Sequence, residues 1–589
     1  MLRAKLRDTV NKTFQFEGEY SRPPFNNLLQ IYQNGFADNF TLPALTDYSS
    51  GKTMTYGAFA QRIARLHLFF ESTGVMPGDK IALLGKNNPT WVVTFMATIT
   101  YGAVIVPILS DFTPADASHI INHSDAVMLF VSDSSWQNLR MDDFPEIRCV
   151  VSIDSRKVVA ENASALGWLG KGFKSYGSVV RGLTRRFRKR YPKGFSASDI
   201  KYPEVDQSET AVINYTSGTT GFSKGVMLSY DNIRGNVVFG IRSRLHYQGS
   251  RVLSFLPLAH AYGCAFDMLV PLAVGSHITL FGRIPTPALL VKAMSQVRPS
   301  LVICVPLILE KIYRNMIVPM ISKPSLRWVL AVPFLDKAIY AMIRSKLVDA
   351  FGGAFEEVIV GGAALNPEVE DFLHKIHFPF TVGYGMTECG PLISYTPWRR
   401  FVPSSAGRTL SNIMEAKVLR DESLPVPEGS TPQGEIMVRG LNVMKGYYKN
   451  PEATAAVLEE DGWLHTGDMG TVGDPQGRTI YIRGRYKTMI LSANGQNIYP
   501  EEIEAKLSNM PYVGECLVVD REGHLFALVY PDPDSTASMT PDELAAAMET
   551  NRKELNAMLA SYERIEGIDL QPVEFEKTPK RSIRRFLYK

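Results

Sequence analysis

The sequence predicts an α/β protein: a large N-terminal domain of stacked, mostly parallel sheets with helices, a β-rich subdomain within it, and a small α+β domain at the C-terminus. Short β-branched apolar runs alternate with helix-length segments through the first three-fifths of the chain, as strands buried on both faces require. After about Ala406 glycine and proline become frequent and strand-like runs sit between turns. The C-terminal stretch changes character again, combining helix-like segments with a hairpin-like pair.

Taken in order, strands are expected at Ile81–Leu84, Val104–Ile108, Ala126–Val131, Ala211–Tyr215, Leu301–Val305 and Glu357–Val360. Trp91–Tyr101 reads as a helix that starts at Asn88-Pro89-Thr90. Glu435–Arg439 and Thr479–Ile482 are the clearest strands of the β-rich subdomain, over about 406–484. Pro500–Leu507 resembles a short helix, and Glu515–Asp520 with Leu525–Pro531 forms a hairpin across Arg521-Glu522-Gly523. Pro541–Leu559 is an amphipathic helix with Pro541 and Asp542 in its first turn. No internal repeat is evident.

A chain of 589 residues has room for a large core and two to four domains. Apolar residues at 45% and charged residues at 21% exclude wholesale disorder. Cys149, Cys264, Cys304, Cys389 and Cys516 lie far apart without a CxxC pair, so neither a zinc site nor a disulfide framework is indicated and a reducing cytosol fits best. Met1–Phe16 lacks a secretory apolar region, and no apolar run reaches about 18 residues. The expectation is a cytoplasmic protein whose membrane contact, at the inner surface, is peripheral. Net charge is only +4, yet eleven Lys or Arg face one acid, Glu161, between Arg156 and Lys193. This block, 156–193, reads as a solvated loop face, or as a site for phospholipid headgroups or the phosphates of CoA.

The most informative stretch follows the strand Ala211–Tyr215: Thr216-Ser217-Gly218-Thr219-Thr220-Gly221-Phe222-Ser223-Lys224-Gly225. Glycines let the main chain approach an anion, hydroxyls add donors, and lysine supplies a point charge. It is not a Walker loop, because Ser223 stands where the second glycine would be and Gly225 replaces the hydroxyl residue after the lysine.

From this loop onward the chain resembles the adenylate-forming superfamily of acyl-CoA synthetases, luciferases and peptide-synthetase adenylation domains. Further blocks recur in the family's order: Leu256-Pro257-Leu258-Ala259-His260-Ala261-Tyr262-Gly263, Gly361-Gly362-Ala363-Ala364-Leu365 and Gly383-Tyr384-Gly385-Met386-Thr387-Glu388. Gly462-Trp463-Leu464-His465-Thr466-Gly467-Asp468 and Gly484-Arg485-Tyr486-Lys487 complete the series. The resemblance implies that a carboxylate oxygen attacks the α-phosphorus of ATP, pyrophosphate leaves, and a thiol then attacks the acyl-adenylate. Charge stabilisation dominates such a first step.

By the same resemblance Thr216 and Glu388 hold Mg²⁺, and Thr216 to Lys224 grip the pyrophosphate. Gly361, Gly362 and Ala363 line the base pocket, Tyr384 stacks on adenine within Gly383, Gly385 and Met386, and Thr387 reaches the α-phosphate. Asp468 accepts from the ribose hydroxyls, Arg485 donates to them, and His260 lies near the reacting carboxylate. Lys487 marks the hinge between domains 1–486 and 487–589. In related enzymes the small domain swings about it, bringing a loop such as Ser492-Ala493-Asn494-Gly495 to the site for thioester formation.

Two departures stand out. The family's C-terminal stretch Thr-Pro-Ser-Gly-Lys-Ile-x-Arg corresponds here to Thr578-Pro579-Lys580-Arg581-Ser582-Ile583-Arg584-Arg585, so the catalytic lysine's register falls on Ser582. Lys580 or Arg581 could enter from an altered loop, adenylation could be slower, or that half-reaction could be lost; rescue by Lys580 is the preferred reading. Ser223, where related loops often carry proline, is the smaller departure. Val305-Pro306 with Leu309-Glu310-Lys311-Ile312-Tyr313, and Gly361–Leu365 followed by Asn366-Pro367, look like the long-chain acyl-CoA synthetase branch. They imply a long-chain fatty acid, ATP and CoA as substrates. The rivals are a fatty acyl-AMP ligase that loads a carrier protein and a non-catalytic acyl or nucleotide binder.

Overall fold

A computed structural model describes residues 25–162, 174–216, 224–283, 285–321, 335–420, 431–473, 478–491, 497–521, 523–578 and 583–588. An eight-stranded sheet forms its centre, ordered Gly446–Tyr447, Lys224–Ser229, Thr210–Thr216, Val104–Ile108, Lys80–Leu84, Ala126–Val131, Cys149–Ser152 and Val158–Glu161. The inner five strands run parallel, and the two flanking edges are antiparallel. Pro89–Tyr101 is the helix expected beside them. The Asn88 side chain accepts from Trp91 N at 2.8 Å, and Gly102 at φ 91° closes the far end. Residues 91–100 of this helix are all buried, so it is packed on every side rather than on one face.

Three further sheets surround the centre. Arg251–Ser254, His277–Leu280, Pro43–Asp47 and Thr53–Thr55 form one. Val302–Cys304, Val358–Val360 and Phe380–Val382 form a parallel sheet whose C-terminal ends run into the two glycine blocks beginning at Gly361 and Gly383. A seven-stranded antiparallel sheet forms the β-rich subdomain. It starts earlier than its expected boundary, about 406, because Tyr384–Gly385 and Leu392–Tyr395 join it. Strands this short carry too little alternation to be seen in sequence.

At the C-terminus Pro500–Leu507 and Pro541–Met558 are helices, and Val513–Arg521 pairs with His524–Pro531 as the expected hairpin. Thr540 and Glu543 close a reciprocal capping box on the longer helix. These elements pack an apolar interior of their own, around Ile503, Leu507, Val518, Val529 and Leu555, separate from the large core. The two bodies meet at Asn366, the N-cap of Pro367–Lys375. Its Nδ2 donates to Ala505 O at 3.0 Å and to Asn509 Oδ1 at 2.8 Å. Arg314 Nη2 donates to Ser508 O, and Gln433 Nε2 to Tyr499 Oη at 3.0 Å.

The basic block is not a loop in its second half. Tyr176–Arg190 is a helix capped by Ser175, and it buries Tyr176, Val179 and Phe187 against the helix Tyr56–Ser72. Arg65 stacks over Phe187 at 4.7 Å. The buried stripe repeats at helical spacing, but the many charges between its members hide it. Arg181, Arg185, Arg188 and Lys189 remain exposed on the outer face.

Candidate active site

Thr216 and Lys224 are cross-strand partners at the loop end of the hairpin Thr210–Thr216/Lys224–Ser229. They therefore mark the mouth of the glycine-rich loop; Ser217, Gly218, Thr219, Thr220 and Gly221 lie outside the described residues. The Lys224 ammonium sits 4.8 Å from the centre of the Tyr447 ring, and Tyr447 Oη donates to Glu388 Oε1 at 2.9 Å. Tyr447 is itself paired to Val226 of the hairpin, and Met444 N donates to Glu388 O at 2.8 Å. Two residues far apart in sequence, Lys224 and Glu388, are thus joined through one tyrosine, with Thr216 opposite Lys224 across the hairpin. Burial, reinforced by the Glu388 carboxylate, pushes the Tyr447 hydroxyl well above its ordinary range, so it serves as a neutral donor.

The second constellation centres on Asp468, only 4% exposed. Tyr384 Oη donates to its Oδ2 at 2.6 Å, and Arg485 Nε reaches its Oδ1 at 2.8 Å. Asp468 and Arg485 are register partners across neighbouring antiparallel strands, which fixes the pairing. Burial raises the Asp468 pKa, while Arg485 and Tyr384 pull it back toward the charged form. Each carboxylate oxygen keeps a lone pair beyond the one already used. The Arg485 side chain is 60% exposed, so its remaining donors face outward. Tyr384, expected only as a stacking ring, also anchors this carboxylate through its hydroxyl.

Gly361 follows the parallel sheet directly, with its N–H bonded to Cys304 O at 3.1 Å. An added Cβ there would stand 3.1 Å from the Tyr262 ring, and Gly362 adopts φ 91°, so both positions favour glycine. Gly362 and Ala363 are exposed, giving the loop an open face. Gly383 N donates to Val360 O at 2.9 Å, so the two glycine blocks rise from adjacent strands. A Cβ on Gly385 would lie 2.2 Å from Pro391 O, and Met386 N donates to that same carbonyl. Thr387 is buried in the short helical turn Thr387–Cys389.

His260 caps the turn Ala261–Gly263, its Nδ1 accepting from Tyr262 N at 3.4 Å. That contact places the neutral ring's proton on Nε2. Asn214 Nδ2 donates to Ala259 O at 3.1 Å and ties this turn to the strand leading into the glycine-rich loop. Lys487 lies in the turn Tyr486–Thr488 after Arg485. Lys580, Ser582 and Ser492–Gly495 lie outside the described residues. The bridge Lys577↔Ile583 closes the ends of the segment that carries Lys580.

Sequence reading missed Tyr447, Asn214 and Tyr384's hydroxyl role. Gly446-Tyr447 was visible as a glycine–aromatic pair, but only tertiary pairing makes it a partner of Glu388. For Mg²⁺ the donor set fits: Thr216 offers a hydroxyl and Glu388 a carboxylate that forms no ion pair among the described residues, both hard oxygen donors. Among the described residues no cluster of three or more His, Cys, Asp or Glu is placed to hold a metal ion.

Residues 37–448 match the family described as AMP-binding enzyme, and residues 487–588 match the AMP-binding enzyme C-terminal domain. Feruloyl-CoA synthase of Amycolatopsis sp is 30% identical over 474 residues, covering 80% of this chain and 81% of that protein. Long chain acyl-CoA synthetase 6, peroxisomal, of Arabidopsis thaliana is 28% identical, with 84% and 70% covered. Long-chain-fatty-acid–CoA ligase FadD15 of Mycobacterium bovis is 26% identical, with 90% of each chain covered. Among solved structures, anthranilate CoA ligase AuaEII in complex with anthranoyl-AMP has a TM-score of 0.73 at 19% identity, covering 96% of this chain and 97% of that one. o-Succinylbenzoate CoA synthetase MenE from Bacillus subtilis, in complex with ATP and magnesium ion, has a TM-score of 0.68 at 20% identity over 94% and 98%. With a match that spans most of the large domain, and with the small domain matched separately, the chain belongs to the AMP-binding enzyme family, within the adenylate-forming superfamily.

Proposed function

We propose that the protein activates a long-chain fatty acid with ATP as its acyl-adenylate and transfers the acyl group to CoA, releasing pyrophosphate and AMP. The observation that carries this reading is the convergence on Gly383–Glu388: its tyrosine joins Asp468 and Arg485, and its glutamate joins Tyr447, Lys224 and the loop mouth. A ribose held at Asp468 would direct its phosphates along this segment toward Lys224. His260, on a turn tied to the same strand as Thr216, would orient the attacking carboxylate. In the first step a carboxylate oxygen bonds to the α-phosphorus and the bond to pyrophosphate breaks. Lys224 and the loop hold the leaving charge. Mg²⁺ at Thr216 and Glu388, when bound, neutralises phosphate charge. The long-chain assignment draws support from the residues around Val305-Pro306 and from relatives such as the Arabidopsis and Mycobacterium proteins.

One assay tests the reading: purified protein with ATP, Mg²⁺, CoA and a panel of fatty and aryl acids. The expected result is acyl-CoA from long-chain acids. Adenylate without thioester would point to a carrier-protein acceptor, and tight ATP binding without turnover to a binder. In the same assay Lys580→Ala is expected to lower ATP–pyrophosphate exchange at least tenfold, and Ser582→Lys to raise it; unchanged exchange in Lys580→Ala rules that lysine out as the substitute.

A fatty acid partitions into membranes, and the outer face of Tyr176–Arg190 suits an anionic leaflet. No helix among the described residues is long and apolar enough to cross a membrane. Four exposed cations at ~1 kcal/mol each give binding that salt screens readily. Reversing Arg181, Arg185, Arg188 and Lys189 to Glu is expected to abolish co-sedimentation with anionic vesicles at low salt while leaving turnover of dispersed substrate unchanged.

A further inference from the structure

We propose that Glu435 is a positioning residue for the nucleotide: its carboxylate fixes the bulge that presents Asp468, and His465 is the cation that holds this carboxylate in place. The inference deepens the reading above and rests on it, since it takes Asp468 as the acceptor for the ribose. It starts from strand register. Met437 pairs with His465 and Glu435 with Met469, so Thr466, Gly467 and Asp468 bulge opposite the single residue Ile436. A bulge breaks the ladder, re-aims the side chain it carries, and occurs often beside active sites. Gly467 takes φ 71°, with nothing within 4 Å of an added Cβ, so backbone conformation rather than space calls for glycine there.

Side chains take up polar groups that the broken ladder frees. Thr466 Oγ1 donates to Ile436 O at 2.6 Å and accepts from Asp468 N at 3.1 Å. Glu435 Oε1 accepts from Gly467 N at 2.9 Å, so it grips the residue directly before Asp468. Its other oxygen, Oε2, faces His465 Nδ1 at 2.8 Å, and His465 Nε2 faces Glu459 Oε1 at 3.2 Å. Serving both carboxylates takes a proton on each ring nitrogen, so the ring acts as an imidazolium. Burial opposes that charge, but Glu435 and Glu459 raise the His465 pKa above its ordinary value. Neighbouring charges are engaged elsewhere. Arg439 pairs with Glu415 at 2.7 Å and Lys417 sits on the Trp463 ring at 4.1 Å, while Glu460 and Asp461 are exposed in the loop that carries Glu459.

A partly exposed ion pair contributes little to stability by itself. This one also works against its neighbour. Burial is the main cause that raises the Asp468 pKa, and the charges of Glu388 and Glu435 raise it further. A neutral side chain at 435 would spare Asp468 that repulsion, but it would lack the pair of charged acceptor oxygens that ties Gly467 to His465. The imidazolium offsets the repulsion, so His465 both fixes Glu435 and shields Asp468 from it. Because its pKa is raised, His465 is fully charged below the ordinary histidine range and loses that charge as pH rises through the raised value. The grip on the bulge therefore weakens on the alkaline side.

The test measures equilibrium binding of ATP and of 2′,3′-dideoxy-ATP, each with Mg²⁺, to the full chain by calorimetry, so that no turnover is needed. Wild type is expected to prefer ATP at least about tenfold, since the analogue lacks both hydroxyls that a charged acceptor binds. Asp468→Ala should lose the preference. Glu435→Ala should cut it to about threefold or less by weakening ATP while dideoxy-ATP binds as in wild type. Glu435→Gln keeps an acceptor for Gly467 N without the charge facing His465; it should fall between the two and carries the test if the alanine variant does not fold. His465→Arg, a permanent cation, should hold the preference constant between about pH 6 and about pH 9, where wild type loses part of it on the alkaline side. A wild-type preference in both Glu435 variants, with Asp468→Ala losing it, overturns the role of Glu435 alone, and so does equal weakening of both nucleotides. An alkaline fall shared by His465→Arg, or none in wild type, removes His465 from the device. No preference for ATP in wild type overturns the ribose reading of Asp468 and this inference with it.

Discussion

Asp468→Ala is expected to reduce kcat/KM for ATP by about 100-fold or more in pyrophosphate exchange, with most of the loss in KM. The side chain is bonded to Tyr384 and Arg485 at once, and hydrogen bonds involving a charged group are worth roughly 1.5–3 kcal/mol each. Its removal would withdraw the acceptor expected for the ribose and leave the buried Tyr384 hydroxyl with Thr466 in place of its carboxylate partner. Burial and the carboxylate together hold that hydroxyl protonated, so it cannot respond by ionising. A modest fall in melting temperature should accompany the kinetic loss. If the KM for ATP stays unchanged, Asp468 does not bind the nucleotide.

Glu388→Gln is expected to have a comparable effect by a different route. The amide can still accept from Tyr447, so the local fold should hold, but the negative charge offered to a cation is gone. We expect exchange to fall by about 100-fold and the Mg²⁺ concentration for half-maximal rate to rise, since carboxylate charge is what a hard divalent ion takes from the protein. Tyr447→Phe makes a useful contrast: it keeps the charge and loses only the hydroxyl, so about a tenfold loss or less is expected. A Mg²⁺ titration on both variants separates charge from positioning. An unaltered Mg²⁺ requirement in Glu388→Gln removes that residue from the metal site.

Much of the architecture could be read from residues because its strands are continuous apolar runs; Val104–Ile108 and Ala126–Val131 match their expected limits. The starts of helices were equally visible, since Asn88 before Pro89 and Pro541-Asp542 in a first turn are local chemistry. What escaped was tertiary. Two-residue strands such as Tyr384–Gly385 have no period, and the apolar stripe of Tyr176–Arg190 is outnumbered by arginines. At the site, the ordered motifs named Asp468, Arg485 and Tyr384 separately, but only strand register makes them one group. Tyr447 shows the reverse: nothing in Gly446-Tyr447 announces a link to Glu388 until a short edge strand lays it beside Val226.

The asparagine that begins the helix Pro367–Lys375 has a further consequence. Asn366 closes the segment that starts with the Gly361–Ala363 loop, and the same amide grips Ala505 and Asn509 of the small domain. One side chain therefore belongs to both bodies. A ligand that steadies the glycine loop also steadies Asn366, and with it the domain's grip; loosening the domain must in turn weaken the ligand by the same factor. If the Gly361–Ala363 loop holds the base, its occupancy and the orientation of the small domain would be reciprocal variables, coupled through a helix cap.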